Sequence, residues 1–126
     1  MEFNDSESVE QSGCELALTD RQVAELSERP IHEEVEIFST IGSDTRYRIL
    51  LILHEAADPV CVCELEPHLE VGQSSISQSL SRLRKAGLVT RSKEGRWRYY
   101  EPTALADQFI AVVESALSEE EQTPAL

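Results

Sequence analysis

The 126-residue sequence predicts a mainly α-helical fold with one small β-hairpin, and three observations carry that prediction. Apolar residues recur at helical spacing in short segments punctuated by Gly42, Asp58-Pro59, Gly72 and Gly87. Only Leu88–Ser92 and Arg96–Tyr100, flanking Lys93-Glu94-Gly95, read as paired strands. Residues 72–98 hold seven bases against one acid, a charge of +6, while the rest of the chain holds four bases against twenty-three acids, a charge of −19. A segment that positive on a chain of net charge −13 suits a polyanion that the remaining surface repels.

Taken in order, residues 1–18 are polar and acidic without a period and form an arm. Thr19 or Asp20 caps a short helix reaching Arg29, with Val23 and Leu26 three apart and Pro30 ending it. Val35, Phe38 and Ile41, with Ile37 alongside, predict a helix over Glu33–Ile41 that stops at Gly42. Ser43 or Asp44 starts the next, which runs to Glu55, and its five consecutive apolar residues from Ile49 to Leu53 mark a central helix buried nearly all round. A short helix then spans Glu64–Leu69, with Pro67 confined to its first turn because proline has no amide hydrogen to give. Cys61-Val62-Cys63 lies at its entrance.

Gln73–Lys85 forms a helix with Ile76, Leu80 and Leu83 on one face and Ser74, Ser75, Ser77, Gln78, Ser81 and Arg82 on the other, ended by Ala86-Gly87. In the hairpin that follows, Arg96 and Arg98 point to one side and Trp97 and Tyr99 to the other. Thr103 caps a last helix to Ser118, where Leu105, Phe109, Val112, Val113, Ala116 and Leu117 form an apolar stripe with Ile110 at its margin. A chain this small does not bury so wide a stripe alone, which predicts a homodimer built on this helix and the one around Phe38. Helices, then a helix with a polar outer face, then a basic hairpin is the order of a winged helix-turn-helix. The expected division is an acidic arm with its short helix over 1–30, the DNA-binding and dimerisation domain over 31–118, and an acidic tail over 119–126.

No apolar run reaches the roughly 18 residues a membrane span needs, and acids stand where a signal peptide would be basic, so the expectation is a cytoplasmic protein without membrane contact. Three cysteines, two of them one residue apart, suit reduced thiols better than a disulfide framework. The acid excess and the nine Arg against two Lys resemble the surfaces of proteins from salt-loving microbes and point to a halophilic archaeon. In strong salt each phosphate contact releases less counterion free energy, which shifts weight onto base contacts and shape.

The stretch CVCELEPHLEVGQSSISQSLSRLRKAGLVTRSKEGRWRYYEP, preceded by SDTRYRILLIL, resembles the ArsR/SmtB family of metal-responsive repressors over residues 33–118. The resemblance implies a double-stranded operator as partner, no cofactor for DNA binding, and a thiophilic inducer, As(III) or Sb(III). Within the polar helix, Gln73, Ser75, Ser77 and Gln78 are the base-contact candidates, since Gln pairs bidentately with adenine and Ser with several bases. Ser74 and Arg82 are assigned to phosphates, and Arg91, Lys93, Arg96 and Arg98 to the backbone or an adjacent minor groove.

Cys61 and Cys63 are the candidate metal ligands. Two residues apart on a regular helix they would point away from one another, so sharing an ion would require that turn to unwind. Arsenic-responsive relatives carry a third cysteine where this chain has Glu66, and cadmium- and lead-sensing relatives reach the pair with cysteines of an N-terminal arm. This suggests Cys14 of a partner subunit as the third sulfur, with a two-thiol site of Cys61 and Cys63 alone as the alternative, since a dithiol already chelates trivalent arsenic. The alternatives are a thiol redox sensor using the same cysteines, a winged-helix interaction or metal-sequestering protein, and cysteines that simply pack as small hydrophobes. His32, His54 and His68 look isolated and receive no role, and the last helix offers Asp107 and Glu114 but no His for a zinc site. No nucleophile with a positioned base and no phosphate-cradling glycine loop argues for an enzyme.

Overall fold

The computed structural model describes the backbone of residues 16–122 and the side chains of residues 16–118. Two compact units divide the chain, Met1–Ile31 and His32–Leu126. The first contributes α1 (Asp20–Glu28), opened by a capping box: the Thr19 hydroxyl accepts from the Gln22 amide at 3.1 Å, and the Thr19 amide donates to Gln22 Oε1 at 2.9 Å. No residue of α1 is buried.

The second unit runs α2 (His32–Ile41), α3 (Asp44–Glu55), β1 (Val60–Cys61), α4 (Val62–Leu65), a 3₁₀ turn (Glu66–His68), α5 (Gln73–Lys85), β2 (Val89–Glu94), β3 (Trp97–Pro102) and α6 (Ala104–Gln122). Ser43 caps α3, its hydroxyl accepting from the Arg46 amide at 3.3 Å. Arg46 in turn closes the end of α2, where Nε donates to the Thr40 carbonyl at 2.7 Å and so satisfies a terminal carbonyl that has no partner in its own helix. Ile49, Leu50 and Leu53 of α3 meet Ile76, Leu80 and Leu83 of α5, joined by Leu65, Leu88, Val89, Tyr100 and Ile110 in one core.

Four expectations need correction. The predicted helix at Glu64–Leu69 begins earlier, at Val62, and tightens into a 3₁₀ turn where Pro67 withholds its amide. The hairpin turn is Gly95-Arg96 instead of Lys93-Glu94-Gly95: Glu94 pairs with Trp97, and Gly95 supplies the positive φ of +64° that a two-residue loop demands at its first position. The wing is not two-stranded. Val60 and Cys61 pair antiparallel with Tyr100 and Tyr99, adding a third strand in the order β1-β3-β2. In α6, Ile110, expected at the margin, is fully buried with Ala106 and forms the centre of the inward face; Leu105, Val112 and Leu117 stay exposed, as expected of a stripe that one chain does not bury alone.

The junction between α5 and the wing is closed from both ends. Gly87, with φ +78°, lets the Leu88 amide reach the Leu83 carbonyl at 2.9 Å and the Gly87 amide reach Arg84 at 3.0 Å, a Schellman ending. The Thr103 hydroxyl donates to the Gly87 carbonyl at 2.8 Å while accepting from the Ala106 amide, so the start of α6 is fastened to the end of α5.

His54 is not isolated. Its Nδ1 lies 2.7 Å from Asp107 Oδ1, bridging α3 and α6. The bond to Asp107 raises the His54 pKa above its ordinary 6.5; burial opposes the rise, and the charges of Asp107, Glu114 and Glu55 add to it. Because the folded value is the raised one, the bridge contributes fully below about pH 6.5 and is lost as pH climbs through the folded value. The pair is part-exposed, so its worth is about 1 kcal/mol or less. The difference in urea midpoint between the wild type and Asp107→Asn is therefore expected to be largest on the acid side and to shrink towards alkaline pH; a pH-independent difference would refute the titrating bridge.

Candidate nucleic-acid interface

The α5 helix owes its orientation to Ile76, Leu80 and Leu83, all fully buried. With that edge fixed, Ser74, Gln78, the half-buried Ser81 and Lys85 follow the opposite line, one turn apart. Gln73 and Ser77 sit on one flank, and Ser75 and Arg82 on the other. All of the singled-out residues of α5 (Gln73, Ser74, Ser75, Ser77, Gln78 and Arg82) are exposed. Gly72 caps the helix without a side chain, so the first amides of α5 meet no side-chain acceptor there.

Arg91, Lys93, Arg96 and Arg98 of the wing are likewise exposed. Register places Lys93 directly opposite Arg98, and Arg91 opposite the buried Tyr100. Arg96 does not share a strand face with Arg98, as the alternation suggested. It occupies the turn, and its guanidinium lies over the Trp97 ring, 5.6 Å from the centroid.

Between the start of α5 and the wing lies a cleft of about 540 Å³ lined by Cys61, Val62, Cys63, Gln73, Lys93, Gly95, Arg96, Trp97 and Arg98. It brings both cysteines together with four of the ten nucleic-acid candidates. Arg82 stays apart, in a groove with Lys85, His32 and Glu36, and Arg91 stands outside the cleft. Trp97, half exposed beside the cleft, and the exposed Arg84 and Lys85 of α5 were missed as candidates. The density of bases in the window was the available signal for the last two.

Cys61 ends β1 in an extended conformation, φ −96° and ψ 160°, and caps α4; Cys63 lies in the first turn of that helix. Both are free thiols, Cys61 buried and Cys63 exposed. Since the pair straddles a strand-to-helix junction, the divergence expected on a regular helix does not apply. The Cys63 pKa is raised, first by its neighbour Cys61 and then by burial and the charge of Glu64. Tyr99, opposite Cys61 in register, is also raised, first by burial and then by the charges of Cys61 and Glu94.

Two thiols on one cleft are soft donors that fit a thiophilic ion. Among the described residues no third His, Cys, Asp or Glu joins them as a metal-binding group, Glu66 included. Cys14 lies outside the described residues.

A family profile described as bacterial regulatory protein, arsR family, matches residues 43–91. A Halobacterium salinarum protein that bears the name of an arsenical resistance operon repressor, ArsR2, is 49% identical over 81 residues, covering 64% of this chain and 68% of the relative. The chain belongs to the ArsR family. This ArsR-family chain has the winged helix-turn-helix fold of solved regulators. HlyU from Vibrio cholerae matches with a TM-score of 0.61 and 28% identity over 71% of this chain and 96% of that one. The homodimeric DNA-binding domain of Mb0332 from Mycobacterium bovis matches with a TM-score of 0.66 at 20% identity, over 89% of this chain and 99% of that one. Members of this family are DNA-binding regulators, not enzymes. No helix among the described residues is long and apolar enough to cross a membrane.

Proposed function

We propose that this ArsR-family protein is a repressor that binds a two-fold DNA operator as a homodimer and lets go when a thiophilic metal(loid), arsenite or antimonite, binds Cys61 and Cys63. The observation that carries the reading is the cleft in which the dithiol shares walls with Gln73 of α5 and with Lys93, Arg96 and Arg98 of the wing. On the operator, Gln73, Ser75, Ser77 and Gln78 read base edges, Ser74 and Arg82 meet phosphates, and Arg91, Lys93, Arg96 and Arg98 grip the backbone or the minor groove. The name of the Halobacterium relative supports an arsenical response.

Dimerisation is supported by apolar faces that the single chain leaves open, with Val35 and Phe38 on α2 and Leu105, Val112 and Leu117 on α6 all exposed. Cys14 of the partner subunit completes a three-sulfur site. The ion can release DNA only through a difference in affinity between the free and the bound protein, and this site, adjoining the DNA-facing cleft, is placed to have one. The protein resides in the cytoplasm, where thiols stay reduced.

Titrating arsenite and antimonite into a mobility-shift assay on the DNA upstream of its own gene tests the reading. Release of the wild type at stoichiometric metalloid, with Cys61→Ser remaining bound at about 100-fold higher concentration, is the expected pattern. Equal responses of the two proteins would remove the pair as ligands.

A further inference from the structure

We infer that the cleft between α5 and the wing is itself a phosphodiester site, and that DNA backbone seated there covers the Cys63 thiol, so that DNA and a thiol ligand compete for one volume. This rests on the DNA-binding reading above and adds how the two ligands exclude one another.

Charge points to the occupant first. On a chain with 24 acidic residues, no acidic residue lines this cleft, while three cations do. Lys93 and Arg98 face one another across the β2–β3 ladder, a like-charge pairing that weakens a sheet unless an anion lies over it. Among the described residues no carboxylate forms an ion pair with Lys93, Arg96 or Arg98, which leaves their donors to an outside partner. Shape points the same way. One wall is the first residue of α5 and the other is the wing, the two parts a duplex must touch together.

The thiols complete the argument. Cys63 is exposed on this cleft and Cys61 buried beside it, so a backbone strand held by the wing cations passes over the accessible sulfur. Occupancy by phosphodiester then blocks approach to Cys63, and a ligand on the sulfurs removes the space the backbone needs. Thermodynamic reciprocity makes the two effects equal in size.

The test is the labelling rate of Cys63 in the full chain by N-ethylmaleimide, read residue by residue by tandem mass spectrometry, with operator duplex, with random-sequence duplex and without DNA. Mobility shift on the same samples sets the fraction bound. If labelling proceeds only from free protein, DNA at about 100 times its Kd slows it about 100-fold. At matched occupancy the random duplex should protect as well as the operator, because both present the same phosphodiesters. Full retardation with an unchanged labelling rate would overturn the inference and leave the repressor reading standing, as would protection by operator alone, the mark of a base-dependent rearrangement. No retardation by any duplex would overturn both.

Discussion

Replacing Arg96 and Arg98 together by alanine is expected to weaken binding to operator and to random duplex by the same factor, about 10- to 100-fold at low salt. Both side chains are exposed on the wing, one in the hairpin turn and one opposite Lys93. A bond to phosphate carries no sequence information, so removing it lowers the two affinities in parallel. Fewer counterions are then released, and the log–log slope of affinity against salt should flatten by about 0.9 for each phosphate that is no longer neutralised. Fluorescence anisotropy across a salt series reads both quantities. The penalty should fade towards molar salt, where screening has already removed most of the term. A weakening confined to operator, with the salt slope unchanged, would instead make these arginines base readers.

Leu80→Ala should cost about 2–5 kcal/mol of stability, the range for emptying a fully buried leucine site. Leu80 is 0% exposed and lies between Ile76 and Leu83 on the edge of α5 that faces the core. Against a typical total of about 5–15 kcal/mol, a loss of that size leaves a measurable unfolded fraction. Urea denaturation should show a lower midpoint with the slope unchanged, since the surface exposed on unfolding is nearly the same. Gln78→Ala, on the opposite side of the same helix, should leave the midpoint in place. If both variants unfold alike, α5 is not anchored by its apolar edge, and the assignment of its outward residues goes with it.

The elements that were legible in the sequence are those whose own periodicity states their environment. The α5 helix declared its buried edge through Ile76, Leu80 and Leu83 and its ending through Gly87, and both are found as expected. Harder to read was whatever depended on a distant partner. Two residues have no period, so Val60 and Cys61 become a strand only because β3 offers them an edge. The α6 helix is apolar on two sides, and a helical wheel does not say which side the core takes; Ile110, set at the margin, went inward. His54 meets Asp107 across 53 positions of chain, beyond any local pattern. For the candidate site, the basic window identified the wing and α5, but only the folded chain brings Gln73, Lys93, Arg96 and Arg98 beside the cysteines.

The short strand β1 makes Cys61 a neighbour of Tyr99 in the same sheet that carries the wing. Adjacent strands lie about 4.8 Å apart, so on the proposed function detection and response are separated by a single rung of the ladder. A receptor wired this closely requires no relay through the body of the protein. On that function, an exchange of side chains at the strand-to-helix junction would retune the chemical preference and the grip on the double helix together, because both use the walls of one cleft.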